Sequence, residues 1–290
     1  MSELQAAGTL PAEPASVERR QPYELVPSPD KVPLYELVPV QGPRGQVLDG
    51  YRGVQTMNNQ EVVAIVSSRY GLVQHADIAR AVHELGAALE VPQPEADSPP
   101  FRREEIRLYS GGRKMEVKLV VGTRYDIAPR ESLFPAVRVT NSLDGSWAVR
   151  CEGLGVRIAC ANQIYAGMGS LVELRELHLS SATDLLGQLK RAIHVILERF
   201  RGATEVYARS MGQEILACDV EPALLAQGLP KVHAEIIGTR AEVLASHNGA
   251  LSRWTAYNLA TSRLTHEVSV GLDRARHFER AAAGALLLPS

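Results

Sequence analysis

The sequence predicts an α+β fold, in which an antiparallel β-meander packed by helices is followed by a mainly helical C-terminal half. Between residues 46 and 181, short apolar runs with alternating polar positions are separated by glycine-containing turns, as in antiparallel strands. From residue 182 to 290, apolar residues recur at spacings of three and four, which is the period of amphipathic helices. With 45% hydrophobic residues, a chain of 290 residues can bury a sizeable core.

Residues 1–45 are dense in proline, which breaks helices and interrupts strand ladders, so we predict an extended, partly disordered arm. The arm contains the pentapeptide YELVP twice, at 23–27 and again at 35–39. One interpretation is a docking segment that adds a strand to the sheet of a neighbouring subunit. The other is a duplicated linker.

Residues 46–181 are predicted to form the α+β sheet core. A strand is expected at 62–68, a turn and a second strand in RYGLV at 69–73, and an amphipathic helix at 75–89. Ser110-Gly111-Gly112 then predicts a hairpin that joins IRLYS to KMEVKLVV.

Three more strands are predicted within RVTNSLDGSWAVRCEGLGVRIAC, residues 138–160. Asp144 and Gly145 form the first turn signal, and Asn141 and Asp144 are candidates to cap that turn with their side chains. Gly153-Leu154-Gly155 is the second turn signal. The C-terminal region is predicted to pack helices on this core, with long helical tracts at 182–211 and 254–287.

Charge and cysteine content exclude several classes of protein. The net charge of −2 excludes a globally basic nucleic-acid binder, so any basic site must be local. The three cysteines form no C-x-x-C pair, which indicates reduced thiols and gives no support to a zinc site. There is no signal-peptide pattern or membrane-length apolar run. We therefore expect a cytoplasmic protein that needs no cofactor and contacts no membrane.

A local basic face follows from strand alternation, because successive side chains point to opposite sides of a sheet. One register places Lys114 and Lys118 on the side opposite Met115 and Val117. The same alternation in the later strands adds Arg138, Arg150 and Arg157 to that polar face. Residues 101–160 carry 11 Lys or Arg and seven acids, a net of +4, whereas residues 1–100 carry seven against 13, a net of −6.

Adjacent like charges repel, so such a face needs a bound anion or interleaved acids. A phosphodiester backbone would be a suitable anion and would bind with strong salt dependence. The alternative is an ordinary antiparallel sheet with one solvated face.

Four segments resemble the phage/plasmid-like family known as domain of unknown function 932. They are NSLDGS, GVRIACAN, RELHLSS and RWTAYNLATSRLTHE, and they occur in this order within about residues 50–280. The chain departs from the family pattern at Glu176-Leu177-His178, at Gln163 and at Ala256. The resemblance implies a phage or plasmid setting in a bacterial host. By analogy alone, the layout looks like that of single-strand annealing proteins of the Red-beta and Rad-fifty-two type.

That analogy implies a homo-oligomer that binds single-stranded nucleic acid and anneals it during recombination or replication. Two further residues are candidates for the interface. Asn162 ends the predicted strand that carries Arg157, and Trp254 could stack on a base, although packing on the sheet is the alternative.

Two other classes of function stay open. Glu116 and Lys118 have the E-x-K form of a Mg²⁺-dependent nuclease, but that motif requires another acid on the preceding strand, and Glu104 and Glu105 are predicted to lie before that strand. The second class is a structural or accessory homo-oligomer without a nucleic-acid role. Of the three, a binding protein without catalytic residues is the function we expect.

Overall fold

The computed structural model describes residues 23–88, 104–120, 125–128, 131–156, 163–164, 174–176, 182–246, 249–268 and 272–287. Within them the fold is mixed, with antiparallel sheets and a helical C-terminal half, which confirms the predicted α+β class. The strands are, in chain order, β1 (Tyr23–Val26), β2 (Tyr35–Gln41), β3 (Val47–Thr56), β4 (Val62–Ser67), β5 (Glu104–Tyr109), β6 (Lys114–Val120), β7 (Tyr125–Ala128), β8 (Glu131–Ser142), β9 (Val149–Val156), β10 (Gln163–Ile164), β11 (Leu174–Glu176), β12 (Glu214–Leu216) and β13 (Ala250–Ser252).

The helices are α1 (His75–Ala88), α2 (Ala182–Gly212), α3 (Ala217–Ala226), α4 (Lys231–Leu244), α5 (Arg253–Ser262) and α6 (Leu272–Leu286). A short 3₁₀ helix spans Pro29–Lys31, and a π-helical turn, Arg263–Glu267, follows α5. The second predicted helical tract is therefore divided into two helices by this turn.

The main sheet has eight strands in the order β1-β5-β6-β8-β9-β10, with β7 paired to β8 and β11 paired to β9. Strands β5 and β6 form the predicted hairpin, whose turn holds Ser110, Gly111 and Gly112 at positive φ. The predicted Asp144-Gly145 turn connects β8 to β9, and Gly145 has a φ of +69°. A glycine tolerates this left-handed conformation without strain.

One predicted turn is wrong. Gly153-Leu154-Gly155 lies inside β9, where Gly153 pairs with Val137 and Gly155 with Pro135. The glycines that suggested a turn are instead internal positions of one continuous strand. Val156, the first residue of the strand predicted at 156–160, is therefore the last residue of β9 and does not begin a separate strand. Residues 157–162 lie outside the described part of the chain.

The predicted N-terminal arm contributes strands in its described part. The first YELVP copy forms β1, which pairs with β5, and the second copy forms most of β2, which pairs with β3. Both copies therefore add to sheet edges of their own chain. RYGLV forms no strand, and β3, which contains Gly50 and Gly53, takes the place expected for a second strand beside β4.

The core lies between one face of the main sheet and the helices. Val117, Val137 and Val149 point toward this side, where Ile78 and Val82 of α1 and Ile193 and Ile196 of α2 are buried with them. None of the described helices has the length and apolar character needed to cross a membrane. The helical side of the sheet is thus apolar, which leaves the opposite side as the place for the predicted polar face.

Candidate functional site

The polar face of the main sheet is arranged in cross-strand rows, because opposed residues of antiparallel strands share a face. One row runs across four strands through Glu105, Lys118, Arg138 and Glu152. The next row runs through Arg107, Glu116, Thr140 and Arg150. Carboxylates are therefore interleaved with the cations that the alternation predicted.

These side chains form a connected set of ion pairs, which we call the charge network and define as Glu105, Arg107, Glu116, Lys118, Arg138 and Glu152. Arg107 bonds both Glu105 and, at 3.2 Å, Glu116. Lys118 Nζ lies 3.3 Å from Glu105. Arg138 Nε and Nη2 donate to Glu152 Oε2 at 3.0 and 2.7 Å, and Arg138 Nη1 lies 3.8 Å from Glu116.

The charge network is largely withdrawn from solvent. Arg138 is 2% exposed, Glu116 1% and Lys118 8%. Burial would lower the pKa of the Arg138 guanidinium, but Glu152 and Glu116 outweigh it and hold that pKa above its ordinary value. Burial lowers the pKa of Lys118, and Glu105 only partly offsets this. Arg280 of α6 also bonds Glu152, so a helix tethers the network.

This arrangement corrects the prediction of a solvated cationic face. Lys118 and Arg138 do lie on one face with Lys114 and Arg150, as alternation predicted, but both are buried and paired with carboxylates. Cross-strand pairing with Glu105 and Glu152 explains why, because each acid stands next to a cation in the register. Alternation along the sequence placed Glu116 on the polar face, but it did not identify Glu105 and Glu152 as the carboxylates that pair with Lys118 and Arg138.

The outer row of the same face carries aromatic rings. Tyr23 of β1 is opposite Tyr109 of β5, and Tyr109 is opposite Lys114 of β6. Ring centroids are 5.5 Å apart for Tyr23 and Tyr109 and 6.4 Å apart for Tyr109 and Trp147. We call Tyr23, Tyr109 and Trp147 the aromatic row.

Two cations lie against the aromatic row. Lys114 Nζ is 4.5 Å from the Trp147 ring centroid, and the Arg107 guanidinium is 4.7 Å from that of Tyr23. Such distances are those of cation–π contacts. Tyr23, Tyr109 and Lys114 are half-buried and thus keep solvent-accessible surface, whereas Trp147 is buried. The sequence signal that could have identified this row is the spacing of two residues between Arg107 and Tyr109 in β5, which places both side chains on one face of the sheet.

Three comparisons with known proteins bear on this site. The sequence profile described as Domain of unknown function (DUF932) matches residues 62–283, which is more than half of the chain. The chain belongs to the DUF932 family. Neither the curated proteins nor the solved structures include a match. The DUF932 region contains the charge network, Lys114, Tyr109 and Trp147, while Tyr23 precedes it.

Asn141 and Asp144 have different roles in this DUF932 chain. Asp144 Oδ1 accepts from the Ser146 backbone N–H at 2.9 Å, which confirms the predicted capping of the turn. Asn141 does not cap it. Its Nδ2 donates to the Val73 carbonyl at 3.0 Å and lies 2.9 Å from His75 Nδ1, so Asn141 links β8 to the start of α1.

His75 completes this link. Its Nε2 lies 3.2 Å from the Gly112 carbonyl, which only a protonated Nε2 can satisfy, so Nδ1 is the acceptor for Asn141. Both His75 and Asn141 are fully buried. The pair joins α1, β8 and the turn between β5 and β6, which is a structural role.

Trp254 lies away from solvent in the helical half. It is 5% exposed, and its ring centroid is 6.1 Å from that of Tyr207 and 6.2 Å from that of Tyr257. Trp254 is therefore packed and gives no support to base stacking, and the rings it contacts belong to α2 and α5 rather than to the sheet named in the alternative prediction. Arg150 lies on the polar face and is half-buried, while Arg157 and Asn162 lie outside the described residues.

The nuclease alternative depends on carboxylates that converge. Contrary to the prediction, Glu104 and Glu105 lie within β5, and Glu105 shares a face with Glu116 and Lys118. Arg107, however, lies between Glu105 and Glu116 and bonds both. In the described part of the chain, no group of three or more His, Cys, Asp or Glu side chains could hold a metal ion.

Proposed function

We propose that this DUF932 protein binds single-stranded nucleic acid and anneals it during recombination or replication, and that the half-buried rings of the aromatic row, Tyr23 and Tyr109, form the contact surface. The observation that carries the proposal is the pair of half-buried rings of Tyr23 and Tyr109 at one border of the polar face, with the Arg107 guanidinium over the Tyr23 ring and Lys114 opposite Tyr109 in the strand register. Aromatic rings stack on bases of any sequence, and each base is worth about 1–3 kcal/mol.

Charge on the polar face supports the proposal as well. Lys114, Arg107, Lys118, Arg138 and Arg150 are five cations, and Glu105, Glu116 and Glu152 are three carboxylates, so five minus three leaves an excess of two positive charges. The six residues of the charge network carry three positive and three negative charges, which cancel, so the excess comes from Lys114 and Arg150, and of these two Lys114 borders the aromatic row. Lys114 is therefore the cation best placed for a phosphate contact.

This proposal shifts the interface predicted from sequence. Lys118 and Arg138 become the support that fixes the strands, while Lys114 is retained and Tyr23, Arg107 and Tyr109 are added. A cytoplasmic location, in a bacterial host or encoded by a phage or plasmid, belongs to the same proposal. No metal or nucleotide takes part in binding.

A titration of dye-labelled oligo(dT) tests the proposal against its rivals, at low and high salt, with and without Mg²⁺. We expect binding that weakens with salt, with a slope of about 0.7 per neutralised phosphate in a log–log plot, and an intact oligonucleotide. Mg²⁺-dependent shortening would favour the nuclease. No binding at any salt would leave the structural homo-oligomer as the better account.

A further inference from the structure

The two copies of YELVP place their tyrosines in different surroundings. Tyr23 of the first copy is half-buried and belongs to the aromatic row. Tyr35 of the second copy is 2% exposed, and its ring centroid is 5.9 Å from that of His75, with the two ring planes at 82°. The repeated pentapeptide therefore supplies one half-buried ring and one fully buried ring.

Tyr35 is held at its backbone as well as at its ring. The side-chain amide of Gln74 donates to the Tyr35 carbonyl at 2.6 Å and accepts from the Tyr35 N–H at 3.1 Å. Because both polar groups of the backbone are bound and the ring is buried, the Tyr35 hydroxyl is fixed at one point of the interior.

That hydroxyl binds the turn between β5 and β6. It donates to the Gly112 carbonyl at 3.2 Å, and His75 Nε2 donates to the same oxygen, also at 3.2 Å. The turn contains three consecutive residues at positive φ, which are Ser110 at 54°, Gly111 at 68° and Gly112 at 80°. A serine pays a conformational cost in this left-handed region, so the turn depends on contacts that hold it in place.

The turn lies directly beside the proposed contact surface. Tyr109 is the last residue of β5 and Lys114 is the first residue of β6, and the two are opposite each other in the strand register. A displacement of the turn would therefore move a ring and a cation of that surface together.

We propose that the two YELVP copies serve one site, in which Tyr23 contacts the nucleic acid and Tyr35 is a positioning residue for Tyr109 and Lys114. This inference rests on the proposed function, because the surface that Tyr35 positions is the proposed contact surface. Tyr35 is buried and touches no nucleic acid. Its hydroxyl acts through the Gly112 carbonyl, which fixes the turn that carries the other two side chains.

Titration of dye-labelled oligo(dT) with the folded Tyr35→Phe variant tests the positioning role. The variant keeps the buried ring and loses only the hydroxyl, so we expect roughly threefold to tenfold weaker binding, the range that corresponds to one hydrogen bond. Tyr51→Phe is the matched control, because Tyr51 is 54% exposed on β3 and its hydroxyl should not affect the affinity. An affinity of Tyr35→Phe equal to that of Tyr51→Phe would overturn the proposal.

Two alanine variants of the turn distinguish positioning from a general loss of stability. Gly111→Ala and Gly112→Ala both introduce a side chain at positive φ and carry a similar backbone cost. Outside its chain neighbours, a Cβ at Gly111 meets no atom within 4 Å, whereas a Cβ at Gly112 lies 2.8 Å from the Tyr35 hydroxyl.

We expect Gly112→Ala to bind oligo(dT) more weakly than Gly111→Ala, because only the former pushes the turn away from Tyr35. Tyr35→Phe, which weakens binding by the wild type, should strengthen binding by Gly112→Ala, since it removes the hydroxyl that the new Cβ meets. Equal affinities for the two alanine variants, or no gain on combining Gly112→Ala with Tyr35→Phe, would overturn the proposal.

Fluorescence of Trp147 tests the positioning without nucleic acid. The Trp147 ring centroid is 6.4 Å from that of Tyr109 and 4.5 Å from Lys114 Nζ, so its emission depends on where both side chains lie. A Trp254→Phe background leaves Trp147 as the single tryptophan of the chain. In that background, Tyr35→Phe should shift the emission to longer wavelength, because the Trp147 ring becomes more exposed to water.

The two readouts separate the positioning role from the proposed function. If the wild type binds no oligo(dT), the proposed function fails, and the Trp147 spectrum still decides whether Tyr35 holds the turn. If the wild type binds and the Trp147 spectrum of Tyr35→Phe is unchanged, the positioning role is overturned and the proposed function stands.

Discussion

Arg138 and Glu152 form a buried ion pair between β8 and β9, in which the guanidinium donates through two nitrogens to one carboxylate oxygen. Arg138 is 2% exposed and Glu152 8%. The pair joins β8 and β9 in the register in which Arg138 is opposite Glu152. It is not accessible to a ligand in this conformation, which separates the supporting part of the polar face from its contact surface.

Arg138→Ala should strongly destabilise the protein. The change removes a buried cation from Glu152 and Glu116, which keep Arg280 and Arg107 as partners. Removal of one partner of a buried pair costs up to about 3–5 kcal/mol. Urea denaturation measures the loss. Arg80→Ala is the control, because Arg80 forms an exposed pair with Asp77 and should lose at most about 0.5 kcal/mol. Equal losses for the two variants would contradict the structural role of Arg138.

Asn141→Ala should lower the free energy of unfolding by about 1–3 kcal/mol for each polar group left buried without a partner. The groups affected are the Val73 carbonyl and His75 Nδ1. Thermal or urea unfolding gives the value, and Asn58→Ala at an exposed turn serves as comparison. A result like that of Asn58→Ala would mean that this link contributes nothing to stability.

Glu267 should make stability depend on pH in the acid range. Hydrogen bonds from Arg240 and Arg263 lower the pKa of Glu267 from 4.5 to about 2. A carboxyl with a lower pKa in the folded state stabilises the fold above the unfolded value, and this contribution falls as pH decreases from about 4.5 to about 2. The effect is small because Glu267 is partly exposed. Glu267→Gln should show a shallower decline than the wild type in acid denaturation, and an unchanged decline would count against the effect.

Lys118→Met should leave oligonucleotide affinity within about twofold of the wild type, a difference well below the tenfold that corresponds to 1.4 kcal/mol. Lys118 is buried and paired with Glu105, and Arg107 remains to neutralise that carboxylate. The labelled oligo(dT) titration measures this. A loss of affinity as large as that of an aromatic-row variant would mean that Lys118 takes part in nucleic-acid binding.

The sequence predicted those elements whose local signals agree with their tertiary setting. Alternation and the Ser-Gly-Gly turn were sufficient for β5 and β6, and helical periodicity was sufficient for α1. Prediction from the sequence was wrong for β9, where glycines occupy internal positions of a strand. It also missed β1 and β2, where the two YELVP segments pair at sheet edges. Local patterns do not distinguish a glycine in a turn from a glycine inside a strand.

Part of the polar face followed from alternation, because alternation assigns a side chain to a face. It does not give the register, and register decides that Lys118 meets Glu105 and that Arg138 meets Glu152. Burial of these pairs also depends on tertiary packing. The aromatic row likewise requires β1 to reach β5, a contact between residues far apart in the sequence.

The most direct test of the central claim compares oligo(dT) affinity, over a series of salt concentrations, among the wild type, Tyr109→Leu, Lys114→Ala and the control Lys231→Ala. Lys231 is exposed on α4 and paired only locally with Glu235 among the described residues. We predict about tenfold weaker binding for Tyr109→Leu, from the loss of a stacking ring. For Lys114→Ala we predict a salt slope reduced by about 0.7. Affinities and slopes that match those of Lys231→Ala would contradict nucleic-acid binding at the aromatic row.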